Sequence, residues 1–164
     1  MTRDQRLQPR KQPIQGRARR TVAAILEASA QVFEELGYAK ATTDRIAVRA
    51  GVSIGTLYQY FPGKDALLVA LAAQHVDEGV EMTARMIDAT VSVPLEQIPL
   101  EDLLRGFLQA MIAMHRERPR LHQMLFVEAP KPTGFLEAVS SREDSLAAQL
   151  RVVLDRHPDF AQRT

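Results

Sequence analysis

"TTDRIAVRAGVSIGTLYQYFPGK", Thr42 to Lys64, is the stretch whose reading decides the fold. It holds two short apolar segments on either side of a glycine. Thr42 or Thr43 can cap the first, because a hydroxyl accepts from the exposed amides of a helix's first turn. Ile46 and Ala47 then face inward, and Gly51 can take the positive φ of a tight turn. Ser53 can cap the second segment, which runs to about Tyr60 before Pro62-Gly63 ends it. Val52 and Leu57 plug the space between the two helices. Ala47 must be small because the second helix crosses the first there. Two short helices joined by AGVS, with a longer helix on each side, form a helix-turn-helix.

The same stretch holds two of the chain's three tyrosines and a phenylalanine, in a chain without tryptophan. At helical spacing Leu57 and Phe61 point back into the core. Tyr58 and Tyr60 then lie on other faces, where a rigid, uncharged phenol can meet something flat and polar.

Moving outward, residues 1–16 contain prolines, glutamines and arginines but few apolar groups, and are expected to be disordered. Val22, Ile25, Leu26, Ser29, Val32, Phe33 and Leu36 make one face of a helix that begins at Arg17 and stops at Gly37. After Lys64 a long helix reaches about Ala89, with Leu67, Leu68, Leu71, His75, Val76, Met82 and Met86 near one stripe. Residues 90–99, with Pro94 and Pro99, read as a loop. Further helices are expected from Leu100 to about Arg118, from Pro119 to near Glu128, and from Gly134 or Phe135 to about Arg156. No segment alternates with period two, so the fold class is all-α.

Composition narrows the function classes. The 164 residues are 46% apolar and 25% charged, and include no cysteine, which rules out disulfides and cysteine-ligated metal. The longest apolar run, Ala66–Ala73, is far too short for a membrane span, and no signal-like segment follows the basic start. A cytoplasmic location, with no membrane partner, is expected. The net charge of +1 conceals an asymmetry: residues 1–64 hold 11 basic and 5 acidic groups (+6), and residues 65–164 hold 10 and 15 (−5). Such a split suits a first third that faces a polyanion.

The longer string "TTDRIAVRAGVSIGTLYQYFPGKDALL", preceded by "VFEELGYAKATT", resembles the DNA-binding domain of the tetracycline-repressor (TetR) family of bacterial transcription regulators. The resemblance covers roughly Arg17 to Leu71. It implies a helix-turn-helix DNA-binding domain over residues 17–63, after a basic arm at 1–16. A helical effector-binding and dimerisation domain would follow over 64–164. Family members usually continue for several tens of residues into two final helices that form a four-helix dimer bundle; this chain is expected to lack them.

The implied partners are double-stranded DNA, a second copy of the chain in a homodimer, and a small apolar effector. The second short helix lies in the major groove. Ser53, Ile54, Gly55, Thr56, Tyr58, Gln59 and Tyr60 are then the residues that meet DNA. The two phenols donate to phosphates, and Gly55 lets a backbone amide approach one closely. Gln59, Thr56 and Ile54 face bases, where Gln can pair with adenine and Thr or Ile can meet a thymine methyl. Thr43 and Lys64 match the family's phosphate-contacting threonine and lysine. Arg45 is a candidate for phosphate or guanine, while Asp44 caps locally or accepts from cytosine. Arg17, Arg19 and Arg20 lie nearest the DNA-facing domain within a basic arm suited to phosphates or the minor groove.

In the family, ligand binding in the second domain moves the fourth helix and changes the spacing of two DNA-reading heads. All five internal methionines fall between Met82 and Met124. The expected pocket set is His75, Met82, Met86, Phe107, Met111, Met114, His115, Met124 and Phe126. Met-rich linings adapt to varied apolar ligands, although methionines at helical spacing are also ordinary core filler. His115 and His122 are separated by Pro119 and lack a third ligand at good spacing, so no metal or other cofactor is expected. There is no nucleophile elbow, phosphate loop or convincing acid–base pair, so the chain is not expected to be an enzyme. Glu34 and Glu35 read as acids on a solvated helix face. The alternative within the same class is a DNA-binding regulator without an effector.

Overall fold

The computed structural model describes residues 16–90 and 97–161. Of the expected disordered arm at 1–16, Gly16 opens the first helix, and the rest of the arm and most of the loop between the fourth and fifth helices lie outside the described residues. By compactness the chain divides in two. One unit takes the described residues through Ala73 together with Pro119–Ala138; the other takes Gln74–Arg118 and the described residues from Val139 onward. This differs from a single cut after residue 63. The start of the fourth helix and a later helical segment pack with the helix-turn-helix, because their apolar side chains are needed to close its core.

The first unit is built on α1 (Gly16–Lys40), whose apolar stripe buries Ile25, Ala28, Val32 and Phe33. Ser29 shares that buried face because its hydroxyl donates to the Ile25 carbonyl at 2.7 Å. Gly37 interrupts the helix with φ 71° and ψ 165°, outside helical space. The expected stop is therefore present, followed by one more turn to Lys40. Helices α2 (Thr43–Ala50) and α3 (Ile54–Tyr60) follow, then the start of α4 (Lys64–Thr90). Ile46, Ala47, Leu57, Phe61, Leu67 and Leu68 are buried among them. Gly51 sits in the left-handed region at φ 67°, ψ 30°, and the Val52 amide donates back to the Ala47 carbonyl at 3.0 Å. That reversal is what places α3 across α2.

The segment from Pro119 also belongs to this unit. Helix α6 (Pro119–Gln123) passes directly into a π-helical turn, Met124–Glu128, and both pack on α1. A single α-helix was expected here. The wider turn is closed by the Ala129 amide donating to the Met124 carbonyl at 2.8 Å, a five-residue step that buries Met124 and Leu125. Lys131 then satisfies the terminal carbonyls of Leu125 and Ala129, at 2.8 and 3.3 Å, while lying over the Phe135 ring.

The second unit comprises α4 from Gln74 onward, α5 (Leu100–Glu117), α7 (Phe135–Arg156) from Val139 onward, and α8 (Pro158–Ala161). The sequence reading ended at Arg156 because Pro158 follows. Proline at a first helical position lacks only an amide that would have no partner there, so it opens α8 instead. Arg142 of α7 pairs with Asp77 of α4 at 2.6 Å. His157 is buried, donates from Nε2 to the Ile98 carbonyl at 2.8 Å, and accepts the Asp159 amide at Nδ1. No described helix is long and apolar enough to cross a membrane.

Candidate functional sites

The two hydroxyl caps expected for the short helices are formed. Thr42 accepts from the Arg45 amide at 3.3 Å, and Ser53 from the Thr56 amide at 3.1 Å. The Ser53 and Thr56 hydroxyls also lie 2.8 Å apart, so these two residues hold the start of α3 in shape. Asp44 stands exposed in the first turn of α2, where its charge complements the helix dipole.

Burial separates the two faces of α3. Leu57 and Phe61 are sealed inside, whereas Ile54, Gly55, Tyr58 and Gln59 are exposed and Thr56 and Tyr60 half-buried. Tyr58 keeps 40% of its surface in solvent. Its hydroxyl lies 3.0 Å from the Thr43 hydroxyl, so two groups distant in sequence form one polar pair at the α2–α3 edge. Arg45, Arg17, Arg19 and Arg20 are all exposed. At Gly55, an added Cβ would meet only the Ser53 hydroxyl, at 3.8 Å. Packing inside the chain does not require glycine there.

Lys64 stands differently from a solvated lysine. Its ammonium donates to the carbonyls of Tyr38 and Ala41, at 2.8 and 3.1 Å, and lies over the Tyr38 ring 4.1 Å from the centroid. The Tyr38 hydroxyl donates to Asp65, the next residue of α4. Burial, reinforced by that carboxylate, pushes the Tyr38 phenol above its ordinary pKa and keeps it protonated. The first turn of α4 is thus tied to the end of α1 by three polar links and a cation–π contact. Sequence reading missed Tyr38; its signal was a tyrosine directly after the helix-stopping Gly37.

Glu35 was likewise more than a solvated acid. Arg49 of α2 grips it with both guanidinium nitrogens, at 2.6 and 2.7 Å, joining α2 to α1. The hydrogen bond from Arg49 holds the Glu35 carboxyl below its ordinary value of about 4.5. A carboxyl whose folded pKa is depressed stabilises the fold above its unfolded pKa, and that contribution disappears as pH falls through the folded value. Glu35→Gln is therefore expected to lower the urea midpoint slightly at pH 7 and by less at pH 3. Denaturation curves at the two pH values check this.

Within the second unit lies a cavity of about 140 Å³ lined by Thr83, Met86, Ile87, Leu103, Leu104, Phe107, Leu150, Val153 and Leu154. The Thr83 hydroxyl donates to the Gly79 carbonyl at 2.9 Å and brings no unpaired polar atom to it. Of the expected pocket residues, Met86 and Phe107 line this space. His75, Met82, Met111, Met114 and His115 belong to the same unit but not to its lining, and Met124 and Phe126 belong to the first unit. The leucines and valine of α5 and α7 were missed, because helix periodicity marks an apolar face without telling which part of it faces a void.

Comparison with known proteins accords with this architecture. Residues 25–71 match the family described as "Bacterial regulatory proteins, tetR family", and residues 99–163 match "Tetracyclin repressor-like, C-terminal domain". The chain is 32% identical over 126 residues to the A-factor receptor protein of Streptomyces griseus, covering 73% of this chain and 41% of that protein. It is 38% identical over 74 residues to the HTH-type transcriptional regulator BetI 1 of Chromohalobacter salexigens, covering 45% of this chain and 37% of that one. Among solved structures, the fatty acid degradation regulator FadR from Bacillus halodurans aligns with a TM-score of 0.65 at 22% identity, over 88% of this chain and 68% of its own. A TetR transcription regulatory protein from Mycobacterium vanbaalenii aligns with a TM-score of 0.58 at 28% identity, over 92% and 81%. The fold and both matched regions define a helix-turn-helix regulator class. The chain belongs to the TetR family. It spans less than half the length of the two relatives named from sequence.

Proposed function

We propose that this protein is a sequence-specific DNA-binding transcription regulator. It acts as a homodimeric repressor on a palindromic operator and is released by a small apolar molecule. The observation that carries the DNA-binding reading is the two-faced α3: Leu57 and Phe61 sealed inside, Tyr58 and Gln59 outside. Buried apolar anchors hold the helix rigidly while its outer face offers a phenol for phosphate and an amide for a base. Thr43 and Tyr58 present their paired hydroxyls as one phosphate contact. Lys64 contributes its charge there while its ammonium also holds the α1–α4 joint. Arg17, Arg20 and Arg45 add electrostatic affinity.

Selection of bound duplexes from a random pool tests this reading. Enrichment of a palindrome supports it, and no enrichment at low salt overturns it. Gly55→Ala sharpens the test. Alanine in a helix is favoured over glycine by about 0.5–1 kcal/mol, and nothing within the chain obstructs the new Cβ. The variant is expected to melt at the same temperature or slightly higher, yet to bind the selected duplex roughly tenfold or more weakly, because the methyl group stands where a phosphate must approach.

The apolar cavity supports a ligand-responsive reading. Its volume of about 140 Å³ resembles the ~150 Å³ engineered cavity that takes benzene. A ligand that binds only the folded state raises its melting temperature. Single-ring and short-chain apolar compounds are expected to do so here and to weaken binding to the selected duplex. If no compound shifts the melting temperature, the regulator works without an effector of this class.

A further inference from the structure

We infer that His75 of α4 and His115 of α5 form a paired-imidazole site for a divalent transition-metal ion within the second unit. This goes beyond the proposed regulation and departs from the expectation of no metal. Along the sequence the His115–His122 spacing, across Pro119, gave no metal site. The fold sets His115 beside His75, 40 positions earlier.

The two rings have centroids 5.2 Å apart and planes at 79°, so one ring is edge-on to the other. A ring nitrogen of each lies within 4.8 Å of its counterpart. Two imidazole nitrogens on one tetrahedral ion, each about 2.0–2.1 Å from it, stand roughly 3.3 Å apart. Closing from the present separation takes no more than roughly 1.5 Å. The histidines are half-buried, so an ion would keep water in its remaining positions.

The surroundings suit ligation. His115 Nδ1 lies 2.7 Å from the Met111 carbonyl. A carbonyl can only accept, so Nδ1 carries the hydrogen and Nε2 the lone pair. A second-shell bond of this kind orients metal-ligating histidines and raises their basicity. A Glu78 carboxylate oxygen lies 4.0 Å from His75 Nδ1, nearby but beyond hydrogen-bond distance. Imidazole donors suit Cu²⁺, Ni²⁺ and Zn²⁺, and the usual order of affinities puts Cu²⁺ first.

The test is calorimetric titration of the metal-free full chain with CuCl₂, NiCl₂ and ZnCl₂, alongside His75→Gln and His115→Gln, each checked for helical content. Wild type is expected to bind one ion, Cu²⁺ most tightly. Each variant should weaken binding roughly tenfold or more, and the double variant little further, since the pair acts as a unit. The Cu²⁺ electron-paramagnetic spectrum is expected to show coupling to two nitrogens and to lose one in each variant, a readout independent of fold stability. Failure of wild type to bind at millimolar metal overturns the inference, as do variants with unchanged affinity and spectrum. DNA binding is not part of the measurement, so the regulatory reading stands or falls separately.

Discussion

Phe61→Ala is expected to remove DNA binding by unfolding the reading head, with a loss of about 3–5 kcal/mol typical of a buried phenylalanine. Phe61 is 1% exposed, and its amide closes α3 by donating to the Leu57 carbonyl at 2.9 Å. Its ring therefore anchors the helix from the inner side, at the point where the chain turns into α4. Whole-domain stabilities are about 5–15 kcal/mol, so this single truncation consumes a large part of the margin. The melting temperature should fall by roughly 12 °C or more, at about 4–8 °C per kcal/mol for a unit of this size. Tyr58→Ala is the contrast: only three positions away, it should leave melting nearly unchanged while weakening duplex binding. Calorimetry on both variants decides between the faces. If Tyr58→Ala melts lower than Phe61→Ala, α3 is turned the other way and its proposed reading face is wrong.

Lys64→Met is expected to cost both affinity and stability, because the proposed phosphate contact and the α1–α4 joint share one ammonium. The variant keeps the aliphatic stem beside Tyr38 but leaves the Tyr38 and Ala41 carbonyls without their donor. Unpaired acceptors cost about 1–3 kcal/mol each when buried. This site is half-buried, so water can replace part of the loss and the lower end applies. A lost phosphate contact should also reduce the slope of log affinity against log salt by about one, without changing the preferred sequence. Thermal melting and duplex titration at several salt concentrations measure the two effects. An unchanged salt slope with lowered stability would assign Lys64 to the joint between α1 and α4 alone. Gln59, if it reads a base as proposed, should give the opposite signature: altered sequence preference rather than altered salt dependence.

Much of the architecture could be read along the chain because its determinants are local. Apolar spacing of three and four set the long helices, Gly51 allowed the left-handed turn, and the Thr42 and Ser53 hydroxyls marked where α2 and α3 begin. The inner and outer faces of α3 followed from the same period, since Leu57 and Phe61 are one helical turn apart. What periodicity could not supply was the partner of each exposed polar group. The Glu35–Arg49 grip, the clasp of Tyr38, Lys64 and Asp65, and the Thr43–Tyr58 hydroxyl pair join residues 14 to 27 positions apart. The cavity shows the same limit: it took Met86 and Phe107 from the expected set but drew its other walls from Thr83 and Ile87 of α4 and from leucines and a valine of α5 and α7. Sequence determined which residues would be helical and which side of each short helix would be apolar, because backbone hydrogen bonding and side-chain period act over a few residues. Tertiary structure alone decided which charges meet, where a void remains and which histidines stand together. Those depend on distances between helices, and no local rule encodes them.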